Sequence, residues 1–235
     1  MSGDRIPVTR ERALAAAIDL ADDEGLDAVS MRNLAARLGV TPMALYKHVA
    51  GKNELLDAMV DTVVAGYQGA APGSGAPPES RAAAEDWQAA MRARILAARR
   101  ALVVHPWLHA LIETRTTRTP HVLAHMDALS GILIEGGLSV DLAHYAMHAL
   151  GHRIWGFSPE AFSTPETGLA PVDPTQQQEM MAAMARAYPH VVAIATDAAT
   201  RNASGACDEQ DEFEFTLDLL LDAFARLHAA GWSSS

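Results

Sequence analysis

Cysteine is almost missing from this chain: Cys207 stands alone among 235 residues. One cysteine excludes an intrachain disulfide and any zinc site built from several thiolates. Lysine is nearly as scarce, with Lys47 and Lys52 its sole examples. Long apolar runs are missing too; none approaches the roughly 18 residues that a membrane-crossing helix needs. No basic segment leads into an apolar stretch at the N-terminus, so the expectation is a cytoplasmic protein with no membrane partner. Alternating β-branched residues are sparse, whereas alanine, leucine and methionine abound, which predicts an all-α protein. Gly-x-Ser-x-Gly, Walker, Gly-x-Gly-x-x-Gly and His-Glu-x-x-His signatures are absent as well. No catalytic residue, metal ligand or cofactor is therefore assigned.

What charge there is lies unevenly. The net charge is −11, yet residues 1–52 hold seven Lys and Arg against seven Asp and Glu and are neutral. Seven acids crowd into residues 208–222. A chain built this way repels phosphate at one end and tolerates it at the other.

The neutral end carries the most informative segment, SMRNLAARLGVTPMALYKHVAGK, residues 30–52. Ser30 is placed to cap a short helix with Leu34, Ala35 and Leu38 on one face. Gly39 suits the left-handed turn that ends it. Thr41 is a second capping residue and Pro42 sits at the first helical position, where a missing N–H costs nothing. Leu45 and Val49 then face inward, leaving Met43, Tyr46, Lys47 and His48 outside. This is the pattern of a helix-turn-helix, whose second helix enters a DNA major groove. Both lysines lie at the end of this unit, where compact cations meet phosphate.

Around it the chain divides into three parts: a helix-turn-helix domain at 1–68, a Pro-, Gly- and Ser-rich linker at 69–80 and a helical domain at 81–235. Helix one is expected from Thr9 to Glu24 with Leu14, Ala17, Ile18 and Ala21 inward. A fourth helix is expected from about 53 to 67, facing the core with Leu56, Met59, Val60 and Val63. Further helices are expected near 81–103, 106–113, 120–136, 139–156, 175–198 and 209–230, with a four-proline loop at 157–174. Phe213, Leu217, Leu220, Phe224 and Leu227 make a heptad seam, and Ala143, Met147, Leu150 and Ile154 a matching stripe. Both stripes suit core packing and a dimer interface, for which Met147, Leu150, Leu217, Leu220 and Phe224 are the candidates.

Residues 9–61 resemble the DNA-binding domain of the TetR family of bacterial repressors, through EGLDAVSMRNLAARLGV, LYKHV and GKNELLDA. The tetracycline repressor branch is the nearer likeness, since it shares the tyrosine, histidine and downstream lysine. Weaker similarity continues through Trp87, RALVVHPWL, EGGLS and GHRIWG. The resemblance implies a three-helix DNA-binding domain, a larger helical ligand-binding and dimerisation domain, and a homodimer through a four-helix bundle. It also implies that Tyr46, His48 and Lys52 meet phosphates. Arg32 is the best base reader, its fork matching guanine O6 and N7. Thr41, Pro42, Met43 and Lys47 complete the expected interface, though Met31, Pro42, Met43 and Lys47 differ from the tetracycline repressor, so its operator does not carry over.

Nine of the ten histidines lie beyond residue 100. His105/His109, His121/His125 and His144/His148/His152 recur at spacing four, which puts each set on one helical face. His105 matches a histidine that holds the drug-bound magnesium in the tetracycline repressor, and Glu160 falls near an acidic position of that site. Gln68 and Arg94 stand where residues holding the drug would be, so a pocket is implied and tetracycline is not. Trp87, Met91, His105, Trp107, Trp155 and Phe157 are its expected lining, amphipathic aromatics suited to an apolar ligand with a few polar handles. The expected function is a dimeric repressor released from operator DNA by a small-molecule inducer. The alternatives are a helix-turn-helix regulator without an inducer, or a metal-dependent enzyme using the histidine pairs.

Overall fold

The computed structural model describes residues 8–68, 86–114, 118–155, 173–201 and 209–234. Among them every regular element is helical. The linker at 69–80, Phe157, Glu160 and the proline-rich loop lie outside the described residues, as do the side chains of Gln68, His152 and Trp155.

Four helices build the N-terminal part: α1 (Arg10–Glu24), α2 (Met31–Leu38), α3 (Pro42–Leu45) and α4 (Lys52–Gln68). Thr9 caps α1 by accepting the Arg12 N–H, and Gly25 ends it at φ 83°. The face of α1 turned inward is Ala13, Ala17, Leu20 and Ala21, not the expected Leu14 and Ile18, which are half-buried. Both sets fit helical spacing; the small alanines win because α2 and α4 pack close against this helix. Helix α4 faces the core more broadly than expected, adding Leu55 and Val64 to Leu56, Met59, Val60 and Val63. Its length lets it pack on α1 and also on the helices that follow.

Those are α5 (Trp87–Val104), α6 (Trp107–Thr114), α7 (Pro120–Glu135) and α8 (Val140–Trp155). Met91, Ile95, Leu108, Leu133 and Leu142 are fully buried among them. Gly136, at the end of α7, allows a close approach: a Cβ there would stand 2.5 Å from the Trp87 Cβ. Asp61 of α4 accepts the His121 N–H at the start of α7, at 3.3 Å. The residues after the last helix fold back on α8, where Asp141 accepts from Ser234 and the Tyr145 ring meets Trp232 edge-on at 5.3 Å.

Contacts within the chain group residues 1–155 with 220–235, and 156–219 by themselves. In the second group the helix expected over 175–198 is two, α9 (Pro174–Ala187) and α10 (Pro189–Arg201). Pro189 explains the break: it has no N–H to donate, and it drives Tyr188 out of the helical region, to φ −136° and ψ 61°. Helix α11 (Glu209–Ala229) runs on from there. Its buried positions are Phe213, Leu217, Leu221 and Phe224, so Leu221 takes the place expected for Leu220, which is half-buried. On α8, Leu142, Ala143, Ala146, Leu150 and Ile154 are buried and Met147 is half-buried.

Candidate nucleic-acid interface

The α2–α3 corner is made by three local devices. Ser30 accepts the Asn33 N–H at 3.1 Å, satisfying one orphan donor of α2. Gly39 then turns left-handed at φ 67° and ψ 33°, and the N–H groups of Gly39 and Val40 return to Ala36 and Ala35. Pro42 opens α3 as expected, but the Thr41 hydroxyl makes no capping bond to it. Helix α3 is also shorter than a recognition helix usually is: Tyr46, Lys47 and His48 continue it as a turn. Leu45 and Val49 anchor this turn in the core.

The outward side carries the expected set. Arg32, Thr41, Pro42, Met43, Tyr46, Lys47 and Lys52 are all exposed, and His48 is half-buried. Met43 is 72% exposed, one of several large apolar side chains left outside.

Two arginines that sequence reasoning passed over hold this surface in place. Arg10 donates to the His48 carbonyl and to Glu54, both at 2.6 Å, so α1 clamps the end of the α3 turn. Glu54 also accepts the Ala50 N–H. That backbone bond, followed by Arg10, holds its carboxyl below the usual glutamate range. Arg37 of α2 pairs with Asp23 and Glu24 at the end of α1, and the Asp23 bond raises its pKa. Both arginines are thus spent on internal pairs. No motif announces either role, because each joins residues 13 to 44 positions apart in the chain.

The expected ligand-lining residues are dispersed among three roles. Trp87 and Met91 are buried on α5, Trp87 against Gly136. His105 ends α5 and Trp107 opens α6, and both reach Asp22 of α1. The His105 Nδ1–H donates to the two carboxylate oxygens at 2.8 and 3.0 Å, and the Trp107 Nε1–H donates at 2.6 Å. Trp155 and Phe157 fall outside what the structure describes of side chains.

The histidine sets also separate. His105 precedes α6 instead of sharing a helical face with His109. His125 is buried on α7, and burial, then the charge of Arg94, push its pKa down to about 4. His144 and His148 meet on α8 with ring centroids 4.7 Å apart. Among the described residues no three His, Cys, Asp or Glu side chains converge as a metal site would require.

Two family patterns match this chain. The one described as bacterial regulatory proteins of the tetR family covers residues 13–59, and the tetracyclin repressor-like C-terminal domain covers 79–227. Among curated proteins, the chain is 35% identical over 142 residues to the HTH-type transcriptional repressor DrrR1 of Streptomyces coeruleorubidus, covering 58% of this chain and 47% of that protein. It is 28% identical over 149 residues to the class D tetracycline repressor protein of Escherichia coli, covering 63% and 64%. The matches span about half the length of the first of these relatives. Among solved structures, a possible TetR family transcriptional regulator from Streptomyces coelicolor A3(2) superposes with a TM-score of 0.68 at 32% identity, over 93% of this chain and 99% of that one.

Proposed function

This chain belongs to the TetR family of bacterial regulatory proteins, and from that membership we propose that it is a dimeric, operator-binding repressor released by a small-molecule inducer. The family is one of transcriptional regulators, not of enzymes. The observation that carries the reading is the exposed, internally braced α2–α3 corner, with Arg32, Lys47 and Lys52 outward on the neutral end of an acidic chain. Residues 1–68 act as the DNA-binding domain and 81–235 as the regulatory one, a division supported by the two separately matched stretches. No single helix among the described residues is long and apolar enough to cross a membrane.

In this reading Tyr46, Lys47, His48 and Lys52 contact phosphates, which fix register without reading sequence. Arg32 reads a base, worth ~1–3 kcal/mol of discrimination, and Thr41, Pro42 and Met43 meet the groove, the apolar pair against thymine methyls. Two copies place their recognition turns ~34–36 Å apart, one turn of DNA. Helices α8 and α11 make the dimer. Val140, 71% exposed, and Tyr145 stand outward on α8, and Phe215 and Leu219 on α11, apolar groups that a partner would cover. The inducer is an apolar or amphipathic molecule taken up among α5–α8. It must bind the DNA-incompetent conformer better; moving occupancy from 1:99 to 99:1 takes ~5.5 kcal/mol of difference.

Gel shifts with the promoter region beside the chain's own gene test the reading. The expected result is a discrete complex that competitor DNA of random sequence does not displace. Binding indifferent to sequence at every salt concentration would count against it.

A further inference from the structure

The last turn of α1 is strongly acidic, with Asp22, Asp23 and Glu24 in succession and no basic residue beside them. Carboxylates at a helix C-terminus face the negative end of the dipole, an unfavourable position unless other groups answer them. Here they are answered in two directions. Asp23 and Glu24 pair with Arg37 of α2, within the helix-turn-helix. Asp22 instead accepts from His105 and Trp107, in the turn between α5 and α6 of the regulatory part. The side chains of His105 and Asp22 are 20% and 27% exposed, and the Trp107 bond is the part-buried one of the set.

We propose that Asp22 is a positioning residue, a latch by which the α5–α6 turn sets the α2–α3 corner through one helical turn of α1. The inference rests on the regulator reading above. The turn is a natural lever. Pro106 prevents α5 from continuing, His105 sits at φ −123° and ψ 74°, and its N–H and C=O are tied to Ala101 and Leu108. A rearrangement of α5 or α6 therefore carries the imidazole and the indole with it, and Asp22 must follow or let go. Asp23, the next residue, holds Arg37, so whatever moves Asp22 reaches α2 with no intervening flexible segment. The two donors converge on one carboxylate, so Asp22 is the single acceptor through which both elements hold α1.

Two variants test this, since Trp107→Phe keeps the buried ring and Asp22→Ala removes both acceptor oxygens from an otherwise exposed site. Each should weaken operator binding about tenfold, because an unlatched corner loses more freedom when two copies must seat in adjacent grooves. The double variant should bind no worse than Asp22→Ala alone, as loss of the carboxylate already removes the Trp107 bond. Unchanged operator affinity in both, or losses that simply add, would overturn the latch. Amide exchange without DNA gives a second reading. Asp22→Ala should speed exchange severalfold across α2, residues 31–38, and a change confined to residues 105–108 would overturn it. If the native protein binds no operator at all, the regulator reading has failed and the exchange measurement still decides the latch.

Discussion

At the scale of single residues, the DNA-facing side chains divide by what they can read. Lys52 is a point charge beside the start of α4, so Lys52→Ala should weaken binding to all sequences alike and lower the slope of log affinity against log salt by about one. Arg32→Ala should instead relax preference at one base pair. A randomised-operator selection in which the Arg32 variant keeps the native preference would remove it as a base reader. His125 makes a different kind of claim. Its folded pKa, about 4, lies below the ordinary 6.5, so the unfolded chain takes up the proton first as pH falls. Stability contributed by the neutral imidazole is present above about pH 6.5 and is lost progressively toward pH 4, by on the order of 3 kcal/mol in all. Melting curves across that window should slope more gently for His125→Leu than for the native chain. Equal slopes would mean that other groups govern the acid limb.

Elements meet through small residues at two places, and both give definite costs. Gly39 holds a left-handed conformation at the α2–α3 corner, where any side chain is strained; Gly39→Ala should cost ~1–2 kcal/mol and lower the melting temperature by about 2–8 °C. Gly136 is different, since the obstacle there is not backbone conformation but the Trp87 side chain, 2.5 Å from where a Cβ would sit. Gly136→Ala must push α5 away from the α7–α8 turn and should cost ~1–3 kcal/mol. A Trp87→Gly background, which removes the offending Cβ as well as the ring, should relieve much of that cost, and a double-mutant cycle in thermal melts measures the relief. Full additivity would show that the crowding is absorbed elsewhere.

For the whole molecule the decisive property is association. Phe224 is 7% exposed within one chain, so charging it would damage the monomer's own core and say little about dimers. Val140 and Leu219 are the sharper probes, because they are exposed and apolar. Val140→Asp together with Leu219→Glu should leave a folded monomer whose operator affinity collapses, since two weak half-sites no longer act as one. Light scattering at micromolar concentration reads the outcome; persistent dimers would move the interface off these helices.

The helix-turn-helix was written locally, and for that reason the sequence alone determined it. Ser30, Gly39 and Pro42 each act on backbone within four residues, and Leu45 and Val49 recur at helical spacing, so their order along the chain already marks the corner. The same held for the break at Pro189 in principle, though apolar periodicity on either side masked it. What only the tertiary structure decided is which of two plausible faces a helix buries and whom a polar side chain meets. Ala13 over Leu14 was settled by how closely α2 and α4 approach α1, and the last helix buries Leu221 where heptad spacing alone would choose Leu220. Arg10, Arg37 and Asp22 gained their partners from helices 13 to 85 residues away. Helical spacing carries no information about such partners, because a side chain's reach across space does not depend on its distance along the chain.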